Sequence, residues 1–246
     1  MDPATHLEHV RDEGRLLVDA ATAGSGDEPV PGCPDWSLDD LVRHIGTVHL
    51  WATEALTRAG VPPDRDFFGA TEAAAPQDHA KLVDWYAASH VLLVDTLETT
   101  DPAAPVWGFL PHPSGADFWA RRQAHETAIH RFDAEQAVGL MTGVGTALAH
   151  DGVDEVLGFV AARGKRLVSP EPVTLGIRTV DTGGHWAMRI GPSDRALVDV
   201  DIADTDAAVT GTAADLYLYL WNRLDRVDST GDADVIRLWR ELAQIR

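Results

Sequence analysis

The sequence predicts an α+β protein, a four-helix bundle followed by a small α+β domain, and three observations carry that reading. Helical periodicity runs through the first half, and alternating β-branched residues take over after about residue 170. The length, 246 residues, exceeds the roughly 100–150 of a usual single domain. The expected division is a bundle over residues 1–150 and an α+β domain over 151–246.

The first helix is expected over residues 4–23, where Leu7, Val10, Leu17 and Val18 recur at near-helical spacing before the Gly/Pro-rich stretch from Gly24 to Pro34. The second has the clearest start. Ser37 followed by Asp40 forms a capping-box signature, and Trp36 and Leu41 flank it as a hydrophobic staple. It should run to about Ala59, before Gly60-Val61-Pro62-Pro63. A third helix reads from about Gln77 to Leu97, a Pro/Gly-rich loop covers 101–115, and a fourth runs from Ala116 to about Val138, stopped at Gly139. Four amphipathic helices of this kind suit an antiparallel bundle.

A further helix over 147–163 leads into PVTLGIRTVD, HWAMRIG and RALVDVDIA, whose alternation marks strands. The turns Thr182-Gly183-Gly184 and Gly191-Pro192-Ser193-Asp194 are short enough to join antiparallel neighbours. Helices over 213–224 and 232–245 close the chain.

Composition excludes several classes of function. With 45% hydrophobic and 24% charged residues the chain is ordinary globular material. A net charge of −19, from 39 acidic and 20 basic residues, disfavours nucleic acid and anionic lipid as partners. No apolar run approaches the ~20 residues of a membrane span, and the N-terminus, interrupted by charges, lacks a signal-peptide pattern. The single cysteine, Cys33, permits no intramolecular disulfide, and it has no evident base beside it in sequence. The expected location is cytoplasmic.

The eleven histidines are sorted by helical geometry. In the fourth helix, Glu126 and His130 stand four residues apart and share one face, with Cβ atoms about 5–6 Å apart. His125 diverges from His130 by about 140°. The zinc-protease pattern H-E-x-x-H is absent, because its second histidine would fall at Ile129. A catalytic zinc takes three protein ligands and keeps a position open. His44 is the candidate third ligand, since it lies on the apolar stripe of Leu41, Val48 and Trp51, where an unpartnered imidazole is costly to bury. Its rival His49 points elsewhere. Asp133 falls on the face of Glu126 and His130, where it could orient a ligand imidazole or pair on the surface with Arg122 or Arg131. Spacing alone also allows a hydrogen-bonded core network without a metal.

Two stretches, Trp36-Ser37-Leu38-Asp39-Asp40-Leu41-Val42-Arg43-His44 and Arg122-Gln123-Ala124-His125-Glu126-Thr127-Ala128-Ile129-His130-Arg131-Phe132-Asp133-Ala134-Glu135, resemble the mycothiol-dependent maleylpyruvate isomerase-like family, whose first half is a DinB/YfiT-type metal-binding bundle. The segment Val209-Thr210-Gly211-Thr212-Ala213-Ala214-Asp215-Leu216-Tyr217-Leu218-Tyr219-Leu220-Trp221-Asn222-Arg223 resembles its sterol-carrier-like C-terminal domain. The resemblance implies His44, Glu126 and His130 as ligands of a divalent metal, zinc first, with nickel, cobalt or manganese also suited to such a set. It implies mycothiol as thiol cofactor or co-substrate, and a small electrophile as the other partner. The thiolate would add to a conjugated double bond, rotation would follow and elimination would restore the alkene, giving cis-trans isomerisation; an adduct that simply leaves gives S-transfer.

Maleylpyruvate carries two carboxylates and needs fixed cations. Arg223, inside the matched C-terminal motif, is the leading candidate for a catalytic role, although Asn222 stands before it where the family commonly has glycine. Arg122 lies near the ligand face, whereas Arg43, Arg121 and Arg131 are read as surface. The loop from Gly60 to Pro76 has no arginine apart from Arg65, so a second carboxylate anchor in the first domain is not evident. Trp51, Trp107, Phe118 and Trp119 could line a pocket for a bulkier apolar electrophile, with Trp119 read as core. Two other readings stay open: a hydrolase using metal-activated water, and a non-enzymatic small-molecule-binding or regulatory protein.

Overall fold

The computed structural model describes residues 1–111 and 114–243, and divides into two compact units, Met1–Thr142 and Gly143–Arg246. The first unit is helical. Helix α1 (Pro3–Ala23) starts at Asp2, whose side chain accepts from the Thr5 amide. Helix α2 (Leu38–Thr57) opens with the expected capping box, both Ser37 and Asp40 engaged. A short helix α3 (Phe67–Ala74) follows, then α4 (His79–Thr99), capped by Asp78, and α5 (Gly115–Ala137), capped by Ser114. The core runs through Leu17, Leu38, Leu41, Ile45, Leu82 and Tyr86.

The helices do not alternate in direction as a simple antiparallel bundle would. His6 lies near His125 and Glu13 near Arg131, so α1 and α5 run parallel. Asp39 meets His79 and His49 meets His90, so α2 and α4 also run parallel. Trp51 packs on Trp119 while His44 faces Glu126, which makes α2 and α5 antiparallel. The order is up-down-down-up. A parallel α2–α4 pair requires the chain to travel back along a helix of about 30 Å, and the connection through α3 supplies that length. The sequence reading had residues 60–76 as loop, because an eight-residue helix with no buried residue leaves almost no periodic signal. Within the expected loop over 101–115, residues 112 and 113 lie outside the described residues.

The second unit begins with α6 (Thr146–Arg163). Its five strands are β1 (Val173–Thr179), β2 (His185–Ile190), β3 (Arg195–Val198), β4 (Ala207–Gly211) and β5 (Asp228–Gly231), in the order β3-β2-β1-β4-β5. Both expected turns join antiparallel neighbours, and β1 pairs parallel with β4. A 3₁₀ turn (Ile202–Asp204) precedes β4. Helix α7 (Ala213–Leu220) and helix α8 (Ala233–Leu242) complete the unit. The sequence reading extended the last helix to Ile245, and 244–246 lie outside the described residues.

Helix α7 stops four residues before the expected Leu224. The Asn222 amide bonds to the Tyr219 carbonyl and the Arg223 amide to the Leu218 carbonyl, with Asn222 at φ 60°. This is a Schellman closure with asparagine in the left-handed position. Strand β5, a polar and fully exposed Asp-Ser-Thr-Gly edge, carries no strand pattern in sequence and forms by pairing with β4. Among the described residues no helix is long and apolar enough to cross a membrane.

Candidate metal centre

The α2 capping box fixes where that helix begins, and therefore places His44 in its second turn. On α5, Arg122, Glu126 and His130 follow at intervals of four and share one face. The structure brings His44, Glu126 and His130 together, with one candidate ligand atom from each lying within 4.8 Å of the others. Glu126 Oε1 is 3.4 Å from His130 Nε2 and 3.7 Å from His44 Nε2. Donors around a tetrahedral ion with bonds of about 2.1 Å stand roughly 3.4 Å apart, close to both Glu126 separations. His44 Nε2 is buried with no hydrogen-bond partner, which a cation would satisfy.

The next layer aims the three donors. Asp133 is fully buried, and its Oδ2 lies 3.1 Å from His130 Nδ1. An ionised carboxylate only accepts, so His130 donates Nδ1–H and turns Nε2 toward the site. Arg122 bonds Glu126 Oε2, leaving Oε1 for the two imidazoles. Burial alone would raise the Glu126 carboxyl, but the Arg122 guanidinium and the two histidines hold it well below the usual carboxylate range. Burial alone would lower His130, yet the Asp133 and Glu126 carboxylates leave its pKa raised. A pocket that favours a proton between carboxylates is one where a divalent cation can take that proton's place.

Aromatic rings close the site. Trp36 lies 4.8 Å from the His44 ring and 6.1 Å from His130, and Phe68 of α3 lies 5.8 Å from His44, measured between centroids. Trp36 is held by backbone bonds to Cys33 and Val30, so the buried Cys33 belongs to the turn that seats this ring. The sequence reading used Trp36 only as a staple and placed Phe68 in a loop. Proximity to His44 arises from tertiary packing, which local spacing does not encode.

Other expectations resolve differently. Arg131, read as surface, is 1% exposed and bonds Glu13, Glu135 and Thr142. Its rigid fork of donors tolerates burial because carboxylates from α1 and α5 meet it. Asp133, expected either behind a ligand imidazole or on the surface, is fully buried and meets His130. His49 lies outside the candidate set: its Nε2 shares a 3.0 Å hydrogen bond with Thr127 Oγ1. Burial first, then the neighbouring His90, push the His49 pKa well below normal, so the ring is neutral. Trp119 is fully buried, and Trp51, Trp107, Phe109 and Phe118 cluster with it, half-buried.

Arg223 belongs to the second unit. It is half-buried, supplies the outer amide of the Schellman closure, and donates from Nη1 to the Trp221 carbonyl at 2.8 Å. The expected glycine-to-asparagine departure at 222 falls at the left-handed position of that closure, which both residue types tolerate.

Residues 7–135 match the family model described as the mycothiol maleylpyruvate isomerase N-terminal domain, and residues 147–237 match the MDMPI C-terminal domain. Among curated proteins none matches the chain. Two solved structures share the fold. One is a crystal structure of the mycothiol-dependent maleylpyruvate isomerase, with TM-score 0.69, 13% identity and 95% of each chain covered. The other is of a histidine-to-alanine mutant of the mycothiol-dependent maleylpyruvate isomerase, with TM-score 0.71 at the same identity and coverage. With both of its units matched by the two domain models, the chain belongs to the mycothiol maleylpyruvate isomerase family.

Proposed function

We propose that this protein is a metal-dependent, mycothiol-dependent isomerase or S-transferase acting on a small electrophile, with His44, Glu126 and His130 holding the divalent ion. The observation that carries the reading is the convergence of these side chains from two helices around a buried imidazole nitrogen with no hydrogen-bond partner. Family membership adds the thiol. When bound, a divalent ion lowers the pKa of a coordinating thiol, so that it reacts as thiolate at neutral pH without any protein cysteine.

The chain's own residues do the rest. Asp133 fixes the His130 tautomer, Arg122 confines Glu126 to one donor oxygen, and Trp36 and Phe68 limit water at the histidines. Three protein donors leave room for an exogenous ligand, which distinguishes a catalytic from a closed structural site. Arg223 is assigned to an anionic group of thiol or substrate, a role supported by its place in the C-terminal motif. Zinc is the first expectation for a His, Glu, His set, with nickel, cobalt and manganese as alternatives.

The test is elemental analysis of the purified protein and of Glu126→Ala and His130→Ala variants, together with turnover of a cis-configured conjugated diacid with and without mycothiol. One equivalent of metal in the wild type, lost in both variants, with thiol-dependent turnover, supports the proposal. Turnover without thiol would indicate activated water and a hydrolase. A wild type that cannot be loaded with metal would sink the site.

A further inference from the structure

Five residues beyond His44, and so on a different face of α2, His49 is fully buried and shares its hydrogen bond with Thr127, the residue next to Glu126. Thr127 is itself fully buried. The remaining ring nitrogen of His49, Nδ1, has no hydrogen-bond partner, so the imidazole is an expensive way to fill this space. Apolar side chains of similar size at both 49 and 127 would fill this space without leaving a buried ring nitrogen unsatisfied. A buried polar link between α2 and α5 offers something packing does not, which is a single permitted register.

That register matters because α2 carries one candidate ligand and α5 carries two. A slip of α2 by one residue moves His44 by about 1.5 Å along the helix axis. Metal–ligand bonds tolerate about 0.2 Å. Leu41, Ile45 and Val48 could repack through such a slip, because apolar contact is non-directional. The His49–Thr127 bond could not.

We infer that His49 and Thr127 are positioning residues that hold α2 in register on α5, so that His44 meets Glu126 and His130 before any ion arrives. The inference rests on the metal site proposed above. It assigns these two residues no contact with metal, thiol or substrate.

The experiment measures affinity for zinc by competition with a chromophoric chelator, alongside the unfolding temperature of the metal-free protein. Variants are Thr127→Val, Thr127→Ser, His49→Leu with Thr127→Val, and Val94→Ala, a buried truncation on α4, which carries none of the three candidate ligands. Thr127→Val should weaken zinc binding about 10- to 100-fold, the loss typical of residues that orient ligands from outside the coordination shell. Thr127→Ser should restore it, and the double variant should be no worse than Thr127→Val. Val94→Ala should lower the unfolding temperature while leaving affinity unchanged, separating stability from register. If the wild type binds zinc and Thr127→Val binds it equally well, the pin is overturned while the site stands. If Val94→Ala weakens binding as much as Thr127→Val, the effect is general loosening and the inference falls. A wild type that binds no zinc overturns both proposals.

Discussion

At the scale of single residues, the site is defined as much by the groups behind the donors as by the donors. Asp133 is the sharpest case, because its carboxylate is completely withdrawn from water and meets the His130 ring. Asp133→Asn keeps the shape but loses the charge and can present an amide donor to Nδ1. Its metal affinity should fall about 10- to 100-fold with little change in unfolding temperature, read by chelator competition and calorimetry. Asn222 makes a second prediction. Its φ of 60° costs an ordinary residue about 1–2 kcal/mol, and a β-branched one more. Asn222→Val should therefore destabilise the fold by at least that amount in urea melts, whereas Asn222→Gly should stay within about 1 kcal/mol of wild type. Under the role proposed for Arg223, the next residue in the chain, the valine variant should also reduce turnover more than the glycine variant does.

At the scale of elements, legibility followed period. Ser37 and Asp40 announced α2 because a capping box is local chemistry, and Glu126 and His130 were found because two residues four apart must share a helical face. Helix α3 and strand β5 escaped because neither buries a residue; each exists through its neighbours. Helix direction escaped for a related reason, since amphipathicity states which face is buried but not which partner covers it. One side chain that ties elements together is His79, at the first position of α4. Its Nδ1 lies 2.6 Å from Asp39 of α2 and its Nε2 lies 3.1 Å from the Ala21 carbonyl of α1. Both neighbours accept, so the ring satisfies both when protonated. Partial burial opposes the charge, but Asp39 and the carbonyl win, and the pKa is raised. A folded pKa above the unfolded one stabilises fully below the unfolded value, about 6.5, and loses that contribution as pH rises through the folded value. The stability difference between wild type and His79→Gln should thus be about 1–2 kcal/mol near pH 5.5 and shrink above neutrality. Equal differences at pH 5.5 and 9 would refute the linkage.

At the scale of the whole molecule, the dominant fact is charge. A net charge of −19 repels small anions at a distance, so an anionic thiol or carboxylate substrate gains nothing from long-range steering and must rely on local cations. Raising ionic strength from about 20 to 200 mM shortens the Debye length from roughly 20 to 7 Å. The KM for a dianionic substrate should fall over that range, the reverse of an enzyme with a cationic funnel. A rising KM would place the governing electrostatics at a local arginine instead.

Helix α3 joins the two parallel helices, lays Phe68 beside His44, and has no buried residue. An element anchored chiefly by the partly buried Phe68 should open locally at a free energy below that of the bundle. Melting of α3 would remove Phe68 from His44, whose side chain is already 16% exposed, while α2 and α5 keep their positions. Amide hydrogen exchange checks this: residues 67–74 should exchange orders of magnitude faster than the centre of α5.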